Sequence, residues 1–383
     1  MSVRLPSSAL TRRDVLASAT AAALLAACGE KVAGTDALAD AATPESDAQL
    51  DAPTDTASDI AADAAQDASA VDAAADATAE AADVAPDATP PTPLQATITP
   101  NEKFYVTSCC STPQVDAATW SMTVSDRGKL LATWTLDYLE SLKPRDKEHT
   151  LECIGGGPAY QLLSNAIWTG LPLLEIFAAS GITVPSDISE MKIVGLDDFG
   201  TGLPTADLAL PIWLVWRVNG QPLPPEHGFP VRMLVPNRYG MKNPKWMKSI
   251  EFVDQPFIGF WESKGWSKTA YYRPNAYIRS HAPSSQQKAG KQLAFGTAFA
   301  GRDAVVKVDC RIDGGTWQPA ILDYTGVQDV WTLWHFGFEL TPGVHTLQAR
   351  CTTASGAQSE ENPEGTDGLS GYNGSMAISF VVA

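Results

Sequence analysis

The sequence predicts an α+β domain followed by an immunoglobulin-like β-sandwich, both carried behind a long polar arm. Three observations predict it. Residues 29–95 are mostly alanine, aspartate, threonine and proline, with too few large apolar side chains to bury a core. All 11 tryptophans lie at or beyond Trp120, so the core belongs to the chain beyond that arm. Short strands and a few helices mix irregularly up to about residue 286, and from 287 onward only strands and turns remain.

At the N-terminus, Arg12-Arg13 precede an apolar, alanine-rich stretch from Val15 to Ala27. It is too short and too small-sided for a spanning helix. Paired arginines before such a stretch resemble a Tat export signal. Leu25-Ala26-Ala27-Cys28 resembles a bacterial lipobox with Cys28 as the lipidated residue; the alternative is plain cleavage at an Ala-x-Ala site. The expectation is a signal over 1–28 and export to a periplasmic or cell-surface location. A lipid on Cys28 would anchor the protein to the membrane. Residues 29–95 are expected to be a disordered Ala/Asp-rich tether. Its aspartates recur from Asp36 to Asp87 with Lys31 the one basic residue, so the tether holds most of the net charge of −17. Acids four apart without basic partners repel on a helix face. This acidity argues against nucleic-acid binding and says little about a substrate.

Within 96–286, Trp120 to Val124 alternates and turns at Asp126-Arg127-Gly128, as a hairpin does. Leu136 to Leu142 reads as a short helix closed by Pro144. Leu171 to Ser180 reads as a helix with Gly181 just past its end. Met191 to Gly195 and Ile212 to Val218 read as strands. Within 287–383, Ala304 to Ile312 alternates into the turn Asp313-Gly314-Gly315. Trp317, Trp331 to Trp334, His345 to Cys351 and Met376 to Val382 supply further strands.

Cys153 carries the most chemistry. It leaves a short alternating strand and enters Ile154-Gly155-Gly156-Gly157-Pro158. A thiolate beside a turn without side chains suits a soft metal or a cofactor, and the turn's amides suit an oxygen ligand. A buried structural thiol is the alternative. The remaining cysteines leave pairing open. Cys109 and Cys110 pair with one another, pair elsewhere or stay free. Cys310 and Cys351 fall on two sandwich strands, where they form a disulfide or remain buried thiols. No haem-attachment Cys-x-x-Cys-His, paired Cys-x-x-Cys or G-x-G-x-x-G motif is present, which disfavours haem, structural zinc and nicotinamide chemistry.

The order of motifs across 100–383 resembles the sulfite oxidase family of molybdopterin-dependent oxidoreductases. The pieces are Phe104-Tyr105, Thr150-Leu151-Glu152-Cys153, Ser164 to Gly170, Gly195-Leu196-Asp197, Asn219 to Leu223, His227-Gly228-Phe229-Pro230-Val231-Arg232, Val235-Pro236, Gly240 and Lys245-Trp246. Asp313 to Trp317 and Trp331 match the family's C-terminal dimerisation domain, so the resemblance implies a sulfite-oxidase-like domain over 96–286 and a homodimer. It also implies Mo-molybdopterin as cofactor and Cys153 as the metal-ligating catalytic residue. His227, Arg232 and Lys245 are implied to meet the pterin phosphate and Asp197 the pterin. Tyr105, Thr107, Ser108 and Cys109 complete the implied cofactor contacts.

The departures bear on the substrate. Thr107-Ser108-Cys109 stands where the family has Arg-Asn-His. Pro158 and Gly368-Leu369 stand where it has arginines, and Trp266 near its active-site tyrosine. A small anion such as sulfite needs fixed cations. The expectation is therefore oxygen-atom transfer on a small-molecule substrate other than sulfite, unless Arg238, Lys242, Lys264 or Arg273 substitutes. Electrons would pass to an external acceptor such as a cytochrome or a quinone-linked protein. The alternative is a non-catalytic surface lipoprotein of the same fold, acting as a binding module.

Overall fold

The computed structural model describes residues 95–157, 161–325, 327–360, 369–375 and 377–383. The export signal, Cys28, residues 29–94 of the expected tether, Pro158, Gly368 and Met376 lie outside the described residues. Among the described residues no helix is long and apolar enough to cross a membrane.

A first five-stranded sheet runs in the order Lys129–Thr135, Ser121–Asp126, Met247–Val253, Glu190–Gly195, Gly200–Pro204. Its opening hairpin is set by local residues. Arg127 and Gly128 both take positive φ, 45° and 81°, and make the two-residue turn that brings Asp126 opposite Lys129. A second sheet contains Arg145–Glu152, Leu163–Pro172, Trp213–Val218 and Gln221–Pro222, with Arg232–Leu234 also on Trp213–Val218. One core joins the two sheets, with Met122, Val124, Trp134, Ile193 and Phe252 from the first and Leu171, Leu214, Trp216 and Met233 from the second.

The α+β expectation holds only in part, because the described residues are mostly sheet. Leu136–Ser141 is a helix of six residues, started by Thr135, whose hydroxyl accepts from the Tyr138 amide at 3.2 Å. The helix expected from Leu171 runs over Leu173–Ala179. Leu171 and Pro172 pair with Leu214 and Trp213 and finish a strand instead. An apolar residue before a helix satisfies either periodicity, and the sheet partner decides.

The C-terminal part is two sheets on a shared core. One runs Asn275–Ile278, Gly290–Phe299, Thr332–Leu340, Ile321–Tyr324; the other runs Gln286–Gln287, Ile378–Val382, Gly343–Thr353, Val305–Ile312, Gln318–Pro319. Asn275–Ile278 already belongs to this part, ahead of residue 287. Trp317 lies just outside a strand, with the guanidinium groups of Arg311 and Arg350 4.4 and 4.3 Å from its ring. Cys310 and Cys351 form no disulfide, and both are free, buried thiols. The register is the reason: Cys310 faces Ala349 while Cys351 faces Val308, so the two are not opposed. The Cys351 thiol donates instead to the Asn275 carbonyl at 3.3 Å.

Four strand ends converge on one place. Cys153 follows Arg145–Glu152, Asp197 follows Glu190–Gly195, Lys245 and Trp246 precede Met247–Val253, and Arg232 opens Arg232–Leu234.

Candidate active site

Cys153 is fixed by its own turn. Its amide donates to Leu162 O at 2.9 Å, and Gly156 N donates to Cys153 O at 2.8 Å. The Gly155 amide and the Thr107 hydroxyl act on the sulfur as donors that lower its pKa. Burial raises the thiol's pKa, and those two donors oppose the rise by favouring thiolate. The Gly156 amide is spent on the Cys153 carbonyl, so the glycine turn does not offer that amide to an outside oxygen.

Every residue named as a cofactor contact lines the same cleft: Tyr105, Thr107, Ser108, Cys109, Cys153, Asp197, His227, Arg232 and Lys245. The cleft encloses about 1120 Å³ counted to its open mouth. Arg232 is buried, donates to His227 O at 3.1 Å and Asn243 O at 3.3 Å, and sits 5.2 Å from the Trp168 ring. Its Nε has no partner. Burial lowers its pKa to about 10, so it stays charged at neutral pH. Lys245 Nζ meets Thr107 O at 3.1 Å, Ser108 Oγ at 2.5 Å and Glu226 O at 2.9 Å. Burial and then Arg232 bring its pKa down to about 7. His227 Nε2 lies 3.3 Å from Asn101 O, and burial lowers its pKa, with Arg232 adding to the effect.

Cys109 and Cys110 are bonded to each other as a vicinal disulfide. Their sulfurs and an Asp197 carboxylate oxygen lie within 4.8 Å of one another. Cys109 therefore lies at the cleft wall, and its sulfur is bonded to Cys110.

Sequence reasoning missed a second layer. Glu152, adjacent to Cys153, is buried and accepts from Asn275 Nδ2 at 3.0 and 3.1 Å and from the Tyr277 hydroxyl at 2.8 Å. Burial raises its pKa to about 8. Asn275 and Tyr277 come more than a hundred residues later, so no local pattern announces the network. Trp261 also lines the cleft, packed edge-on to Trp266 at 6.0 Å. The proposed replacement cations do not line it. Arg238 is held by Asp207 at 2.6 and 2.7 Å and lies 3.7 Å from the Tyr271 ring. Lys242 pairs with Glu262 and donates to Gly202 O at 2.9 Å. Lys264 sits 4.8 Å from the Phe260 ring, and Arg273 is not part of the lining.

The donor set fits a sulfur-coordinated, anionic group. A thiol unpaired with any other cysteine faces the cleft, and two deep cations share it. The unpartnered Nε of Arg232 has an acceptor to find.

Comparison with known proteins agrees. Residues 109–261 match the family described as oxidoreductase molybdopterin binding domain. Human mitochondrial sulfite oxidase is 27% identical over 303 residues, covering 66% of this chain and 55% of that protein. An uncharacterized oxidoreductase of Bacillus subtilis, YuiH, is 32% identical over 122 residues, covering 32% of this chain and 59% of that protein. The chain spans about half the length of the curated relatives it matches. The crystal structure of the sulfane dehydrogenase SoxCD from Paracoccus pantotrophus superposes with a TM-score of 0.66 over 75% of this chain and 82% of that one. At 19% identity that likeness speaks for the fold alone.

Proposed function

Because this chain carries the molybdopterin-binding oxidoreductase domain of the sulfite oxidase family, we propose that it is a molybdenum-cofactor enzyme exchanging an oxygen atom with a small substrate other than sulfite. Bound molybdenum-pterin supplies two-electron oxygen-atom exchange. The single observation that carries the reading is Cys153: an unpaired thiol in the cleft that Arg232 and Lys245 share. Cys153 would ligate the metal. Arg232 and Lys245 would neutralise the pterin phosphate, with His227 completing its contacts. Tyr105, Thr107, Ser108, Cys109 and Asp197 would shape the rest of the cradle.

Sulfite is disfavoured because Thr107, Pro158 and Leu369 stand where the family resemblance implies arginines, and Arg238 and Lys242 are engaged by carboxylates. Electrons would leave to a separate acceptor, a cytochrome or a quinone-linked protein. Export by a Tat signal, lipid attachment at Cys28 and dimerisation through an immunoglobulin-like sandwich over 287–383 complete the proposal. Metal-loaded protein assayed with an artificial electron acceptor tests it. The expected result is sulfite turnover orders of magnitude below that of a sulfite dehydrogenase run alongside. Comparable turnover would contradict the exclusion of sulfite.

A further inference from the structure

Neither the fold nor the oxygen-transfer chemistry accounts for the Cys109–Cys110 disulfide. A disulfide stabilises a chain by closing a loop, and the effect grows with the loop's length. These two cysteines are adjacent, so their bond closes no loop beyond the peptide between them and ties no distant segments together. The pair lies between Asn101–Lys103 and Ser121–Asp126, in a stretch outside any helix or strand. A bond of that kind fixes only the local turn.

The surroundings of the pair suit chemistry instead. Both residues are half-buried, and Cys109 lines the cleft. A disulfide that a thiol can reach is of the labile kind, whereas structural ones resist reduction. Charged groups of both signs stand close by. Lys245 Nζ lies 2.5 Å from the hydroxyl of Ser108, the residue before Cys109. A cation near a sulfur favours thiolate, the form in which sulfur leaves when the bond breaks. An Asp197 carboxylate oxygen lies within 4.8 Å of both sulfurs. It disfavours a lasting thiolate, so the opened pair comes to rest as neutral thiols.

We propose that the Cys109–Cys110 pair is a second reactive site of this chain, a thiol–disulfide exchange site at the cleft wall whose co-reactant is a dithiol. A thiolate of the co-reactant attacks Cys109 Sγ and forms a mixed disulfide, and Cys110 leaves with the electron pair of the broken S–S bond. The second thiol of the co-reactant then displaces Cys109. The co-reactant is oxidised to its disulfide, Cys109 and Cys110 are reduced to two thiols, and two protons pass from one pair to the other. The step needs no metal and is independent of the oxygen-transfer reading above.

Native full-length protein tests it, treated with dithiothreitol, alkylated with iodoacetamide and mapped by mass spectrometry. The linked Cys109–Cys110 peptide should be lost and both cysteines alkylated, while the buried Cys310 and Cys351 stay unlabelled. Excess oxidised glutathione, added to reduced protein before alkylation, should restore the linked peptide. The urea midpoints of oxidised and reduced protein should coincide, because a link between neighbours constrains the unfolded chain little. A pair that resists dithiothreitol until urea unfolds the protein overturns the proposal. So does a clear fall in the urea midpoint on reduction, or labelling of Cys310 and Cys351 along with the pair, since either makes the bond a staple of the fold. Failure of the linked peptide to return overturns it as well.

Discussion

Thr107 and Cys153 line the same cleft, and the Thr107 hydroxyl favours the thiolate of Cys153. Thr107 stands where the family resemblance implies an arginine, so a neutral donor replaces a cation beside the thiol. The pair brings together the segment after Phe104-Tyr105 and the turn after the strand Arg145–Glu152, two parts of the chain that meet only in the cleft.

Thr107→Val removes that donor and keeps the side chain's shape. One hydrogen bond is worth about 1 kcal/mol, so turnover should change roughly two- to tenfold. Molybdenum content should stay at the wild-type level while the paramagnetic resonance of the partly reduced metal shifts. An unaltered spectrum would show that the hydroxyl does not touch the ligating sulfur.

Lys245 makes the metal-free protein sensitive to pH. Burial lowers its pKa from 10.5 to about 7 in the folded chain. Between those values the unfolded chain binds more protons, so stability rises with pH across that window. Below it both states are charged, and burial of the ammonium destabilises the fold in full. Lys245→Met should therefore stabilise metal-free protein more at about pH 6 than at about pH 9. Urea titrations giving equal gains at both would contradict the assignment.

Arg238 should behave as a structural residue. It is almost fully buried against Asp207. Removing one partner of such a pair costs roughly 3–5 kcal/mol. Arg238→Met should lower the urea midpoint accordingly, and Arg238→Met with Asp207→Leu should recover part of the loss. A variant of unchanged stability but weakened substrate affinity would return Arg238 to the role of a substrate cation.

Cysteine chemistry provides an independent check. Denatured, unreduced protein should expose the thiols of Cys153, Cys310 and Cys351, and peptide mapping should recover Cys109 and Cys110 joined. Recovery of a Cys310–Cys351 peptide pair would contradict the strand register.

Much of the fold and the cleft was legible in the sequence because the signals were local. The Arg127-Gly128 turn and the alternation of 305–312 each act within a few residues. Cys153, Arg232 and Lys245 could be set in one cleft because their motifs kept the family's order. What escaped reading depended on distant pairing. Leu171 joined a strand because Leu214 lay opposite. Cys310 and Cys351 share a sheet but are offset in register. Glu152 meets Asn275 and Tyr277 only after the chain has begun the C-terminal sheets, and Arg238 and Lys242 are taken by Asp207 and Glu262, which no sequence spacing links to them.

Molybdenum and pterin content of purified protein tests the central claim most directly. Wild type from a molybdenum-replete host should carry about one metal and one pterin per chain, set by the single ligating thiol. Cys153→Ser should lose the metal or hold it inactive while keeping its fold by circular dichroism. Wild-type protein free of metal and pterin, or Cys153→Ser with full metal and full activity, would contradict the account.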